Sequence, residues 1–173
     1  EPAGFWLPEC GFHHGLERLL REINLRWFVL DTHGLIFAQP RPRYAIYAPC
    51  FTPAGPAAFA RDAQSNREVW SAECGYPGDP VYRDFYRDLG FDRAEEELRP
   101  FLHPPGVRKF SGLKYHRVSG RNAGKELYDP ARAAAVADQH ADDFFAKRQA
   151  HFRELSAMNF EPVIVSPFDA ELF

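Results

Sequence analysis

Short apolar runs that end in a charged residue punctuate this chain. Phe5-Trp6-Leu7 leads through Pro8 to Glu9, Trp27-Phe28-Val29-Leu30 leads to Asp31, and Val163-Ile164-Val165 leads through Ser166-Pro167-Phe168 to Asp169. Runs of this length without polar alternation predict buried strands, and a charge after such a strand is delivered to one edge of the sheet. Between the first two runs, Leu16, Leu19, Leu20 and Ile23 recur at i, i+3, i+4 and i+7, one face of an amphipathic helix. A strand over 5–9, that helix and a strand over 26–31 predict a parallel pair with a helical crossover, and hence an α/β sheet or barrel.

The prolines at 40, 42, 49, 53 and 56 exclude a long helix between 39 and 56, leaving 44–48 as at most one short strand in a loop over the strand ends. Asp62 predicts a helix cap for a segment running through Val69 and Trp70. Pro80 predicts the start of another helix, carrying Tyr82, Phe85, Tyr86 and Leu89 until Gly90 stops it. Lys109 to Ser119 has extended character. Asp129-Pro130 opens the longest helix, in which Ala137, Ala141, Phe144, Phe145, Phe152 and Leu155 form a stripe expected to cover the sheet. A parallel eight-stranded barrel takes roughly 250 residues, more than the 173 present. The pattern therefore predicts one partial catalytic domain over 1–173, with an inserted region at about 39–128. The rest of the barrel is expected on both sides, and the piece alone should be unstable because its sheet edges are open.

Composition narrows the class of protein. At 45% apolar and 26% charged residues the chain reads as an ordinary soluble domain, and a net charge of −3 from interspersed acids and bases leaves no basic face for nucleic acid. No apolar stretch approaches the roughly 20 residues of a membrane span, and no signal-peptide pattern opens the chain. A cytoplasmic protein with no membrane partner is expected. Cys10, Cys50 and Cys74 are widely spaced, so reduced thiols are expected rather than a disulfide framework or a thiolate metal site.

Two carboxylates at strand ends, as Glu9 and Asp169 are, form the working parts of a glycosidase-type site, although an acid after an apolar strand is more often a loop-facing or structural one. Asp31 and His33 follow the second strand and are candidates for hydrogen bonding sugar hydroxyls or orienting Glu9; the alternative is a turn stabilised by Asp31 and Thr32. Trp6, Trp70 and Tyr76 are candidate sugar-stacking rings, with core packing as the alternative for Trp70. Asp31 and His33 with His13, His14 or His116 would suggest a metal, but no ligand spacing supports one, so no metal or cofactor is expected. Cys10 near His13 and His14 would suggest a thiol nucleophile; without a third orienting group, packing is the better reading. Arg67, Arg83 and Arg87 are expected to pair with the nearby Glu68, Asp84 or Asp88.

Several long motifs, in order, resemble glycoside hydrolase family 57, most closely its 1,4-α-glucan branching enzymes. They are Gly-Phe-Trp-Leu-Pro-Glu-Cys-Gly at 4–11, Val-Leu-Asp-Thr-His-Gly at 29–34, Val-Trp-Ser-Ala-Glu at 69–73, Gly-Tyr-Pro-Gly-Asp at 75–79, Tyr-Arg-Asp-Phe-Tyr-Arg-Asp at 82–88 and Ser-Pro-Phe-Asp-Ala-Glu-Leu-Phe at 166–173. The resemblance implies a distorted (β/α)7 barrel, related to the TIM barrel, with Glu9 as nucleophile and Asp169 as general acid/base. It also implies an α-glucan substrate such as amylose or a glycogen-like polymer, and transfer of a cleaved α-1,4 chain to form α-1,6 branches. An α-amylase or a 4-α-glucanotransferase on the same scaffold is the first alternative, and a non-catalytic glucan-binding fragment the second. The family's early His-Gln-Pro segment has no counterpart here, and His13-His14 stands where the family carries an aromatic residue and a proline turn.

Overall fold

The computed structural model describes residues 2–102, 104, 106–120 and 124–168. It divides into two compact units, Glu1–Val69 with Phe144–Phe173, and Trp70–Asp143.

The first unit is built on a four-stranded mixed sheet. Strands β1 (Gly4–Trp6), β2 (Trp27–Leu30), β3 (Cys50–Phe51) and β4 (Ala57–Ala60) lie in the order β1-β2-β4-β3, with β1, β2 and β4 parallel and β3 antiparallel to β4. The expected crossover is present as helix α1 (Leu16–Glu22) between β1 and β2. Register places Phe28 and Leu30 beside Ala58 and Ala60. These four share one face and are buried with Leu7, Leu20 of α1, Leu25, Ile46 and Leu35 of the short helix α2 (Thr32–Ile36). Strand β2 is apolar throughout because it is flanked on both sides, while alanines in β4 let helix and sheet approach closely.

Three local expectations change. The proline-rich stretch is not simply a loop, because β3 lies in it and β4 follows it directly. Residues 44–48 form turns instead of a strand, and the prolines sit in the turns around the strands, where no ladder N–H is lost. Strand β1 is an edge strand, and its Trp6 is 44% exposed, so the first apolar run is not a buried strand. The last apolar run adds one parallel bridge, Val165 to Arg61, beside the end of β4, secured by the Asp62 N–H donating to the Val165 carbonyl at 2.8 Å.

Helix α3 (Ala63–Trp70) is capped as expected, with the Ser65 N–H donating to buried Asp62 Oδ2 at 2.7 Å. The longest helix, α6 (Pro130–Ser156), starts at the expected proline. Its sheltered face differs from the apolar stripe read in the sequence. Ala133, Val136, His140, Phe144, Arg148, His151 and Leu155 are buried or half-buried at helical spacing, whereas Ala137 and Ala141 are exposed, as are Phe145 (65%) and Phe152 (46%). Hydropathy misjudged this face because its polar members have ionic and aromatic partners that a hydropathy pattern cannot register.

In the second unit the helix expected from Pro80 is absent. The side chains of Asp79, Asp84 and Asp88 each accept the N–H two residues on, from Val81, Tyr86 and Gly90 at 2.9, 3.0 and 2.8 Å. These Asx turns take the donors a helix would use. Regular structure resumes only in the short helices α4 (Leu89–Asp92) and α5 (Glu95–Leu98). Arg87 accordingly pairs with Asp92 at 2.7 Å instead of Asp84 or Asp88, and Arg83 lies over the Tyr128 ring.

Asp88 is the hub of this unit. Besides Gly90 it accepts from the Ser111 N–H and hydroxyl at 2.8 and 2.7 Å and from the Gly112 N–H at 2.9 Å. Gly90 has to be glycine, because a Cβ there would collide with the Lys109 carbonyl oxygen. Burial alone would raise the Asp88 carboxyl, but the hydrogen bonds from Ser111, Gly90 and Gly112 outweigh it and hold the value down to about 2. Asp88→Asn turns an NH2 group toward these donors and should destabilise the fold by roughly 2 kcal/mol. A lowered thermal midpoint at neutral pH checks this; an unchanged midpoint would show that the hub is dispensable.

Candidate active site

The loops after β1, β2 and β4 leave the same edge of the sheet, because the three strands are parallel. In open α/β sheets this carboxyl edge is where ligands bind. After β1, Pro8–Cys10 forms a single 3-10 turn closed by the Cys10 N–H to Leu7 carbonyl bond at 2.8 Å. Glu9 and Cys10 both have left-handed backbones, with φ of 52° and 54°. Two consecutive non-glycine residues in this region store strain, which is characteristic of positions whose side chains are aimed for function. Buried Leu7 anchors the turn, and Glu9 itself is exposed.

After β2, Asp31 caps α2 and accepts the Thr32 N–H at 2.7 Å. After β4, Arg61 grips the same carboxylate with two bonds, Nε to Oδ1 at 3.0 Å and Nη2 to Oδ2 at 2.9 Å. The Thr32 hydroxyl donates to the Arg61 carbonyl at 2.8 Å. The Arg61 guanidinium, through its hydrogen bonds, lowers the Asp31 carboxyl below its usual range, and Asp31 in turn raises Arg61. Arg61 also lies within the electrostatic reach of Glu9 and Cys10. The edge thus carries Glu9 on the turn after β1 and the Asp31–Arg61 pair on the loops after β2 and β4. Burial raises the Cys10 thiol, opposed by Arg61, which favours the protonated packing form over a thiolate nucleophile.

His33 is largely exposed, with Nδ1 3.6 Å from Asp31 Oδ2. The structure therefore brings Glu9, Asp31 and His33 to one edge, with Trp6 at the end of β1. Asp169 lies outside the described residues, one position beyond Phe168. Trp70 and Tyr76 belong to the second unit. There Tyr76 packs over His140 at a ring separation of 4.7 Å and donates to Asp143 at 2.7 Å, and Tyr82 bonds His140 Nδ1 at 2.8 Å. Gly78 in this turn leaves no room for a Cβ against the Ala72 carbonyl oxygen. His116, once a candidate ligand, bonds Asp92 at 3.2 Å. Among the described residues no three of His, Cys, Asp and Glu converge on a cation position.

Arg61 was missed at the sequence level. Its signal is the same as that of the other two loops, an apolar run (Ala57–Ala60) ending in charge, but a run of alanines directly after a proline-rich stretch does not look like a strand.

The Asp31 carboxyl is lower in the folded chain than in the unfolded one, so its contribution to stability is complete above about pH 4 and fades as the pH falls through the folded value. Asp31→Asn should therefore cost roughly 1 kcal/mol at neutral pH, a half-exposed pair being screened by solvent. The cost should shrink toward zero in acid. Thermal midpoints of both proteins between about pH 3 and 7 check this, and a pH-independent difference would contradict it.

No family model matches the chain. The 1,4-α-glucan branching enzyme of Thermococcus kodakarensis is 28% identical over 203 aligned residues, covering 100% of this chain and 27% of that enzyme. The chain thus spans well under a third of that relative's length. Among solved structures, the α-amylase AmyC of Thermotoga maritima superposes with a TM-score of 0.86 at 49% identity, over 99% of this chain and 34% of AmyC. The GH57-type branching enzyme of Pyrococcus horikoshii gives 0.75 at 30% identity, over 100% of this chain and 32% of its own. By sequence and by fold, the chain is similar to 1,4-α-glucan branching enzymes, a GH57-type one among them, and to an α-amylase, over about a third of their length.

Proposed function

We propose that this chain carries the catalytic residues of a retaining α-glucan-active enzyme, with 1,4-α-glucan branching as its reaction and a distorted (β/α)7 barrel as its complete fold. The observation that carries the proposal is the strained turn after β1, which presents Glu9 at the carboxyl edge that also carries the Arg61–Asp31 pair, in a chain aligned with enzymes of that name. Glu9 attacks the anomeric carbon of an α-1,4-linked glucan. The bond to the departing 4-oxygen breaks as protonated Asp169 supplies that oxygen with a proton, leaving a glucosyl ester on Glu9. A 6-hydroxyl of another glucan segment then gives its proton to Asp169 and displaces the ester, forming the branch. Trp6, Asp31 and His33, all of the first unit, are the proposed substrate contacts. The chemistry requires no cofactor, and three free thiols favour a reducing, cytoplasmic setting.

A second reading, α-amylase, is favoured by the 49% identity to AmyC, and it differs only in the acceptor. Water in place of the 6-hydroxyl ends in hydrolysis. Amylose incubated with the complete protein should acquire α-1,6 proton resonances, and Glu9→Gln or Asp169→Asn should lower turnover by at least about 100-fold. Chain shortening without new branches would assign the amylase reaction instead. Full activity in both variants would remove these residues from the mechanism.

A further inference from the structure

The first unit contains a buried cation that the proposed chemistry does not use. Arg148, on the sheltered face of α6, has a side chain 11% exposed, and its Nη1 lies 3.0 Å from Oε2 of Glu68 on α3, itself 14% exposed. The pair is close but poorly aligned for hydrogen bonding. Among the described residues, Arg148 Nε, Nη1 and Nη2 and Glu68 Oε2 have no hydrogen-bond partner. A guanidinium withdrawn from water on these terms is costly to keep, so Coulombic attraction and one further contact have to hold it. That contact is the ring of Phe144, one turn earlier on α6, whose centroid lies 4.9 Å from the guanidinium carbon. The same ring meets that of Phe168 edge to face at 5.7 Å and 69°.

Phe168 immediately precedes Asp169, and the segment leading to it is tied to the sheet by the Val165 bridge to Arg61. Glu68, Arg148, Phe144 and Phe168 thus form a continuous line of contacts within one unit, from the helix after β4 to the residue before the proposed acid. We propose that Arg148 is a positioning residue for Asp169, acting through Phe144 and Phe168 to fix where the acid-bearing segment leaves the sheet. This rests on the assignment of Asp169 as general acid. Glu68 holds the guanidinium in place, and the cation on the ring face restricts Phe144 to the orientation in which its edge supports Phe168. Arg148 itself touches no reacting atom.

A misplaced Asp169 slows both the step that protonates the leaving group and the later step that takes the acceptor's proton, so the one step it spares is the first, fluoride-releasing step of an activated α-glucosyl fluoride, and this separates positioning from general loss of structure. In the complete protein, Arg148→Met and Phe144→Leu should each lower kcat on amylose by about 10-fold or more, with KM changed by less than about threefold. Both should leave the single-turnover rate of fluoride release from an activated α-glucosyl fluoride, whose fluoride departs unprotonated, near that of the unmodified protein. Arg148→Lys keeps a cation on the ring, folds more readily and should show a smaller loss with the same substrate dependence. Equal slowing of amylose turnover and of single-turnover fluoride release, in whichever of the three variants remain folded, would overturn the positioning role, as would unchanged amylose turnover in Arg148→Met. Asp169→Asn assayed in parallel separates the two claims. If it slows single-turnover fluoride release, the acid assignment is wrong; if it spares that step while the Arg148 and Phe144 variants do not, only the positioning role is wrong.

Discussion

Asp31 and Arg61 end neighbouring parallel strands, and the two bonds between them tie the loops after β2 and β4 into one rigid edge. Much of the first unit follows from that constraint. Arg61 also forms the bridge to Val165, so the returning C-terminal segment is fixed against the same position that holds Asp31. Asp62, the next residue, starts α3, which carries Glu68 toward Arg148. A charged pair with both side chains about one-third exposed contributes little stability by itself. Its consequence is geometric, since a guanidinium held by two bonds cannot rotate away from Asp31.

The sheet shows what a parallel arrangement gives chemically. Each strand emits its loop at one edge, so residues far apart in sequence meet there, and the charged residue ending each apolar run becomes part of a shared surface. Glu9 is the exposed member, on the most strained turn, while Asp31 is occupied by Arg61 and by the start of α2. The contrast divides labour between two acids in similar sequence settings. Asp31 organises the edge, and Glu9 remains available for chemistry.

Hydrophobic patterning made some of this legible. The alternation of strand, helix and strand from β1 to β2, the Asp62 cap and the start of α6 at Pro130 follow from apolar period and capping chemistry alone. What stayed hidden depended on partners distant in sequence. β4 is a run of small residues whose burial comes from neighbouring strands, so Arg61 had no visible strand to end. On α6, Arg148 is sheltered because Glu68 and Phe144 accommodate its charge, while the apolar Phe145 and Phe152 face outward. The helix expected after Pro80 was lost to three aspartates that compete for backbone donors, a local effect that residue identity signals only when the i, i+2 bonds are considered explicitly. For the site, the motif resemblance supplies the roles proposed for Glu9 and Asp169, which patterning alone does not distinguish from those of structural acids.

The central claim is that Glu9 is the group that bonds to sugar. Brief reaction of the complete protein with a slow, fluorinated α-glucosyl fluoride, followed by proteolysis and mass spectrometry, tests it most directly. A glycosyl adduct on the peptide containing Glu9, absent from Glu9→Gln, is the predicted result. An adduct on any other carboxylate, or turnover with inversion at the anomeric carbon and no adduct, would contradict it.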